Sequence, residues 1–210
     1  MIRLHDYYRS SASYRVRIAL NLKGLAFERH DISLLKGEQK SIDNLARNPQ
    51  GFVPTLEIDG HKLTQSLAII DYLDARHPEP PFFPKDPAER AAVMAQALVI
   101  GADIHPLGNL RVLNWLRDNL AIDQEKRIGW IQHWIAEGFA ALERMAQGAG
   151  RFLGGDAPNA ADIFLVPQMY NARRFELRLD DFPNLARIDA NCCALDAFNA
   201  AHPDHFAPAE

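Results

Sequence analysis

The stretch Val53-Pro-Thr-Leu-Glu-Ile-Asp-Gly-His-Lys-Leu-Thr-Gln-Ser66 decides how the first part of this 210-residue chain folds. From Thr55 to Leu63, apolar and polar residues alternate about Asp59-Gly60. That pattern predicts a β-hairpin, because Gly tolerates the positive φ of a tight turn. Pro54 opens the first of the two strands directly after a loop, a position that accommodates a cis bond. It also leaves the flanking Val53 backbone available to a ligand rather than to a neighbouring strand. Ser66 reads as the N-cap of a helix carrying Ile69, Ile70, Tyr72 and Leu73.

Working outward, an apolar run at Ile2 to Tyr8 is followed by helical spacing at Val16, Ala19 and Leu20, with Lys23-Gly24 as the stop. A short run at Phe27 to Ile32 and a short helix near Ile42 to Ala46 come next, so the expected order is β-α-β-α-β-β-α. Prolines 78, 80, 81, 84 and 87 then crowd a segment that neither a helix nor a central strand accommodates, which marks a linker. Beyond it the period is helical throughout: Val93, Ala97, Ile100 and Ile104, then Ile128, Ile131, Ile135, Phe139 and Leu142. Asn159 and Asp162 have the spacing of a capping box, with Asp in place of Glu or Gln. The expected architecture is an α/β domain over residues 1–80 and an all-α domain over residues 88–210.

Composition narrows the function. The chain is 24% charged and 48% hydrophobic with a formal net charge of −4, ordinary for a globular protein. Twelve basic and ten acidic residues lie at or before residue 85, against eleven and seventeen after it. Neither part has the dense basic footprint of nucleic-acid or anionic-membrane binding. The N-terminus lacks an apolar signal core and no run of 18 apolar residues occurs, so a soluble, cytoplasmic protein is expected. Cys192 and Cys193 are adjacent and lack a zinc-type partner pair, and they read as reduced core residues; His202 and His205 read as surface histidines, and no metal is expected.

Three features suggest an anion site at one end of the α/β unit. Arg9-Ser-Ser-Ala-Ser-Tyr-Arg-Val-Arg17 lies where a strand gives way to a helix, bringing hydroxyls, backbone N–H groups and three arginines toward a helix N-terminus. Val53-Pro54 and Gln65-Ser66 are the others. A plain N-cap explains either serine segment alone, but not the recurrence at one end of successive elements.

Here a resemblance becomes specific. Ser10-Ser11-Ala12-Ser13-Tyr14-Arg15-Val16-Arg17-Ile18-Ala19-Leu20 resembles the zeta-class glutathione transferase signature Ser-Ser-Cys-x-Trp-Arg-Val-Arg-Ile-Ala-Leu. Asn48-Pro49, Val53-Pro54-Thr55-Leu56, Gln65-Ser66-Leu67-Ala68-Ile69-Ile70, Ile104-His105-Pro106-Leu107, Val166-Pro167-Gln168 and Ala172-Arg173-Arg174-Phe175 extend it over essentially the whole chain. Two positions depart from the pattern, with Ala12 in place of the cysteine and Tyr14 in place of the tryptophan.

The resemblance implies a thioredoxin-like first domain, a helical second domain, a homodimer and glutathione as cofactor. It implies an isomerase whose borrowed thiol adds to a cis double bond, allows rotation and leaves. The substrate implied is a cis-unsaturated keto diacid, first maleylacetoacetate, alternatively maleylpyruvate; a generalist transferase acting on α-haloacids is the other reading. In this scheme Ser10 or Ser11 donates to the thiolate, with Ser10 favoured. Gln65 and Ser66 hold the γ-glutamyl carboxylate, the Val53-Pro54 backbone pairs with the cysteinyl unit, and Gln39 reaches the glycyl end. Arg9, Arg111 and Arg174 serve the diacid, while His105, Asn109 and Arg111 also approach glutathione. Arg173 is the exposed alternative to Arg174.

Overall fold

The computed structural model describes residues 1–207 and divides into two compact units. The first is built on a four-stranded sheet of β1 (Arg3–Asp6), β2 (Glu28–Asp31), β3 (Thr55–Ile58) and β4 (His61–Thr64), in the order β2-β1-β3-β4. β2 runs parallel to β1, and β3 is antiparallel to both β1 and β4. The β3-β4 turn has Asp59 at φ 52° and Gly60 at φ 79°, the two positive values that a type I′ hairpin requires.

Three helices complete the expected order: α1 (Ser11–Leu22), α2 (Ile42–Arg47) and α3 (Ser66–Arg76). α1 stops at Lys23, where Gly24 turns the chain with φ 64°. α1 packs on α3, and Leu4, Leu56, Val16, Leu20, Ile69 and Leu73 are completely buried. Burying each such side chain contributes about 1.5–3 kcal/mol.

The boundary between the units falls between Phe82 and Phe83, inside the expected linker, but where the sequence placed all of 88–210 in the helical domain, residues 194–207 return to the first unit. Polar anchors account for this. The Arg17 guanidinium donates to the Ala201 carbonyl at 3.1 Å and the Asn21 amide to the Ala197 carbonyl at 3.0 Å. Arg17 and Arg29 both lie over the Phe206 ring, at 4.8 and 5.3 Å. Helical periodicity shows that a segment is helical without showing which core it joins.

The second unit holds α4 (Pro87–Leu98), a π-helical segment Val99–Ile104, α5 (Leu110–Leu120), α6 (Gln124–Met145), α7 (Ala160–Arg174) and α8 (Pro183–Cys193). α7 is its axis: Ile163, Phe164, Leu165, Val166 and Met169 are at most 1% exposed, and it packs against α4, α8 and the π segment. The Asn159 capping box forms as expected, and buried Asp162 also accepts from the Leu153 and Gly154 N–H groups. Two glycines allow the close approach of the π segment. A Cβ at Gly138 would lie 2.3 Å from Ile104 Cδ1, and one at Gly101 would lie 2.9 Å from the Phe164 ring. Of the two cysteines only Cys192 is buried; Cys193 is exposed, contrary to its reading as a core residue.

Candidate active site

β1 delivers the chain through Tyr7, Tyr8 and Arg9 to the start of α1. Ser10 is the N-cap, in extended backbone, and its Oγ accepts the Ser13 N–H at 3.2 Å. That bond uses an oxygen lone pair and leaves the hydroxyl proton to donate outward. The N–H groups of Ser11 and Ala12 belong to the four that an α-helix cannot satisfy internally, and they add partial positive charge at the same place. Ser11 is 6% exposed, so the half-buried Ser10 is the more accessible of the pair. Arg9 stands beside them, donating to the Tyr7 hydroxyl at 3.3 Å with its guanidinium 5.1 Å from the Tyr8 ring centroid.

The other two arginines of that motif do not join this cluster. Arg17 is fully buried, donating to Asp6 Oδ2 at 2.6 Å and to the Tyr8 carbonyl at 2.9 Å. Arg29 meets the other Asp6 oxygen at 2.5 Å. Burial pushes the Asp6 carboxyl up, against the pull of the two guanidiniums, and pushes Arg17 down. Arg15, 2% exposed, turns to the third helix and donates to Ser66 Oγ at 3.2 Å. Burial lowers its pKa to about 9, which leaves it protonated at neutral pH.

Ser66 is the first residue of α3 rather than its N-cap, correcting the sequence reading. The cap position is Gln65, with φ 67° and no side-chain cap bond. Its amide instead donates to Gln50 Oε1 at 2.8 Å. Ser66 is thus not occupied in closing its own helix.

The Val53-Pro54 bond is cis, and Val53 lies ahead of the β3 ladder. Asn44 and Asn48, both buried, donate to the preceding Phe52 carbonyl at 3.4 and 3.2 Å, which clamps the approach to Val53. Sequence reasoning missed the role of these asparagines, although Asn48-Pro49 stood within a recognisable motif. Gln39, half-buried in the 3₁₀ turn Glu38–Lys40, supplies its carbonyl to the Asn44 amide at 2.9 Å.

In the helical unit, His105 ends the π segment, its N–H reaching the Ile100 carbonyl at 2.9 Å, so it stands at a helix end and not within the continuous helix that the Ile100 and Ile104 spacing suggested. Asn109 caps α5 by accepting the Arg111 N–H at 3.1 Å, which places exposed Arg111 in the first turn. Arg174 is the last residue of α7, exposed, with its guanidinium 4.9 Å from the Phe175 ring centroid. Arg173 is committed elsewhere, to the buried carboxylate of Asp189. Both segments are fastened to one stretch of α6: Trp130 donates to the Leu107 carbonyl at 2.9 Å and Gln132 to the Phe175 carbonyl at 2.7 Å. Neither anchor was singled out from the sequence, where both read as ordinary helix residues.

Among the described residues no group of His, Cys, Asp and Glu is placed to hold a metal ion, and no helix is long and apolar enough to cross a membrane.

A thioredoxin-like sheet with hydroxyls at two helix N-termini, followed by a helical unit, is the architecture of a glutathione transferase. Residues 4–81 match the family described as Glutathione S-transferase, N-terminal domain. The chain is 47% identical to a maleylacetoacetate isomerase of Rhizobium meliloti over 207 residues, covering 98% of this chain and 97% of that one. A holo structure of maleylpyruvate isomerase, a bacterial zeta-class enzyme, superposes with a TM-score of 0.94 at 41% identity, covering 96% of each chain. A maleylacetoacetate isomerase from Anaeromyxobacter dehalogenans 2CP-1, with dicarboxyethyl glutathione and citrate in its active site, superposes with a TM-score of 0.87 at 46% identity, covering 97% of this chain and 95% of that one. The chain belongs to the glutathione transferase family, and within it to the zeta class.

Proposed function

We propose that this protein is a glutathione-dependent cis-trans isomerase of a cis-unsaturated keto diacid, with maleylacetoacetate as its substrate. The observation that carries the reading is Ser10. Its oxygen accepts from the Ser13 N–H, so its proton is the donor for an anion at the α1 N-terminus. Bound glutathione supplies the thiol nucleophile that adds to and leaves the substrate's double bond. A free thiol of this kind titrates near 8.5, and a hydroxyl donor with the helix partial charge lowers that value toward neutrality.

The donors present suit such a cofactor. Ser10 faces the thiolate, with Ser11 and its backbone N–H behind it. Ser66 and Gln65 hold the γ-glutamyl carboxylate, and the Val53 backbone ahead of cis-Pro54 pairs with the cysteinyl unit. Gln39 serves the glycyl end, and His105, Asn109 and Arg111 contribute from the helical unit. Ala12, where the family signature has cysteine, removes a supporting contact but no nucleophile, since the reacting sulfur is not the protein's own. Arg9, Arg111 and Arg174 supply the cations that substrate carboxylates and the developing oxyanion require. The reading also includes a homodimer with C₂ symmetry and a cytoplasmic location.

The high similarity to a maleylpyruvate isomerase favours maleylpyruvate as the second candidate substrate. Turnover of each acid by the purified protein, with and without glutathione, tests the reading. Glutathione-dependent isomerisation of either is the expected result. Activity confined to neutral electrophiles or α-haloacids would identify a generalist transferase instead, and sedimentation as a monomer at micromolar concentration would refute the dimer.

A further inference from the structure

Arg15 occupies an unusual place. It lies in the first half of α1, next to the thiol site, yet its side chain runs through the interior to the start of another helix. It is 2% exposed and its Nη1 donates to Ser66 Oγ at 3.2 Å. A guanidinium carries donors only, so the direction of this bond is fixed and Ser66 Oγ is the acceptor. The single proton of that hydroxyl is therefore turned away from Arg15. Nor does Ser66 Oγ cap α3, because Ser66 follows the cap position, and Arg15 is the partner the structure gives that hydroxyl.

We infer that Arg15 is a positioning residue that holds the Ser66 hydroxyl as a donor toward the α-carboxylate of the γ-glutamyl unit. The inference rests on the assignment of Ser66 to that carboxylate. It adds a group outside contact with the ligand that acts through Ser66 in two ways. The planar, rigid fork fixes where Oγ lies and which way its proton points. The guanidinium also sets a positive charge one hydrogen bond behind the hydroxyl, reinforcing the partial charge of the α3 N-terminus. A charge-assisted donor to a hydroxyl polarises its O–H, which strengthens the next bond in the chain.

The competing role is a plain tie between α1 and α3. The two make different predictions about ligands. A tie, once lost, lowers stability and weakens all ligands alike; a positioning residue discriminates between ligands with and without the carboxylate.

The experiment measures calorimetric affinities for glutathione and for γ-aminobutyryl-cysteinyl-glycine, which lacks only that carboxylate, in wild type, Arg15→Met, Arg15→Lys, Ser66→Ala and the Arg15→Met/Ser66→Ala double variant. Wild type should prefer glutathione. Arg15→Met should reduce that preference by about tenfold, the size of one charge-assisted hydrogen bond, while affinity for the analogue holds. Arg15→Lys, which keeps a cation but not the planar fork, should reduce it less, and Arg15→Met should cost no further preference once Ser66 is alanine. An unchanged preference in Arg15→Lys or Arg15→Met overturns the proposal, and the lysine variant decides alone if the methionine variant does not fold. If wild type binds both ligands equally, it is the Ser66 assignment that fails.

Discussion

Ser10 Oγ and the Ser13 N–H are 3.2 Å apart, a bond that makes the serine the N-cap of α1 and engages only its oxygen. As an N-cap it stabilises α1, and the hydroxyl proton that this bond leaves unused is the one the proposed function assigns to the glutathione thiolate. Ser10→Ala removes both. Loss of the cap should cost about 1 kcal/mol of stability, seen as a lowered denaturation midpoint. Loss of the donor should raise the pKa of the bound glutathione thiol and slow turnover. Titration of thiolate absorbance separates the two effects, and Ala12→Cys should move that pKa less. An unchanged value in Ser10→Ala would transfer the role to Ser11 or to the helix N–H groups.

Asp6 is the hub of a buried charge cluster, with Arg17 on one oxygen and Arg29 on the other. Removing the anion leaves Arg17 buried without its counter-charge, and breaking such a pair costs about 3–5 kcal/mol. Asp6→Asn should therefore destabilise by that order in urea unfolding. Because Arg17 also holds the Ala201 carbonyl, the same variant should increase hydrogen exchange in the segment from Ala194 on. A loss below about 1 kcal/mol would be that of an exposed salt bridge and would contradict the buried geometry.

His5 predicts a pH dependence of stability. It is 5% exposed, stacks on His30 at 5.0 Å and lies 3.3 Å from Glu57. Burial, with help from the Arg47 and His30 charges and against Glu57, lowers its pKa in the fold. The unfolded chain then takes up a proton at His5 before the folded one does. Stability should fall as pH drops below about 6.5, the ordinary histidine value, until the folded pKa is passed. Comparing denaturation midpoints at pH 7.5 and 5.5 in wild type and His5→Asn isolates the term. A wild-type decline that His5→Asn does not reduce would assign it to other groups.

These sites differ in how far the sequence exposes them. The Asp59-Gly60 hairpin, the Asn159 capping box and the β-α-β-α-β-β-α order were legible because each depends on neighbours within a few positions. A serine cap at the start of α1 was legible for the same reason. Arg15 and Arg17 were not: beside serines at a helix start they read as cations of an anion site, and only the partners Ser66, Asp6 and Ala201, brought from elsewhere in the chain, put them inside. The spacing of Ile100 and Ile104 fits a continuous α-helix, and nothing local announces the π turn that places His105 at a helix end. The return of the C-terminal segment to the first unit is likewise a tertiary event.

The last prediction separates a diacid isomerase from a general transferase. A substrate with two carboxylates needs cations that a neutral electrophile does not, and a lost charge-assisted hydrogen bond costs roughly 1.5–3 kcal/mol, or about 10- to 150-fold in rate. Arg174→Ala and Arg111→Ala should lower kcat/KM for maleylacetoacetate or maleylpyruvate by that order, while conjugation of a neutral haloarene at saturating glutathione barely changes. Glutathione affinity should hold in Arg174→Ala but fall in Arg111→Ala, where Asn109 seats the arginine in the first turn of α5. Arg173→Ala is the internal control: its guanidinium is engaged with Asp189, so its loss should lower stability without selecting between substrates. Gln132→Ala, which frees the Phe175 carbonyl beside Arg174, should show a milder form of the Arg174→Ala pattern. Equal losses with charged and neutral substrates across these variants would assign the arginines to the fold or the cofactor, and the diacid reading would lose its physical basis.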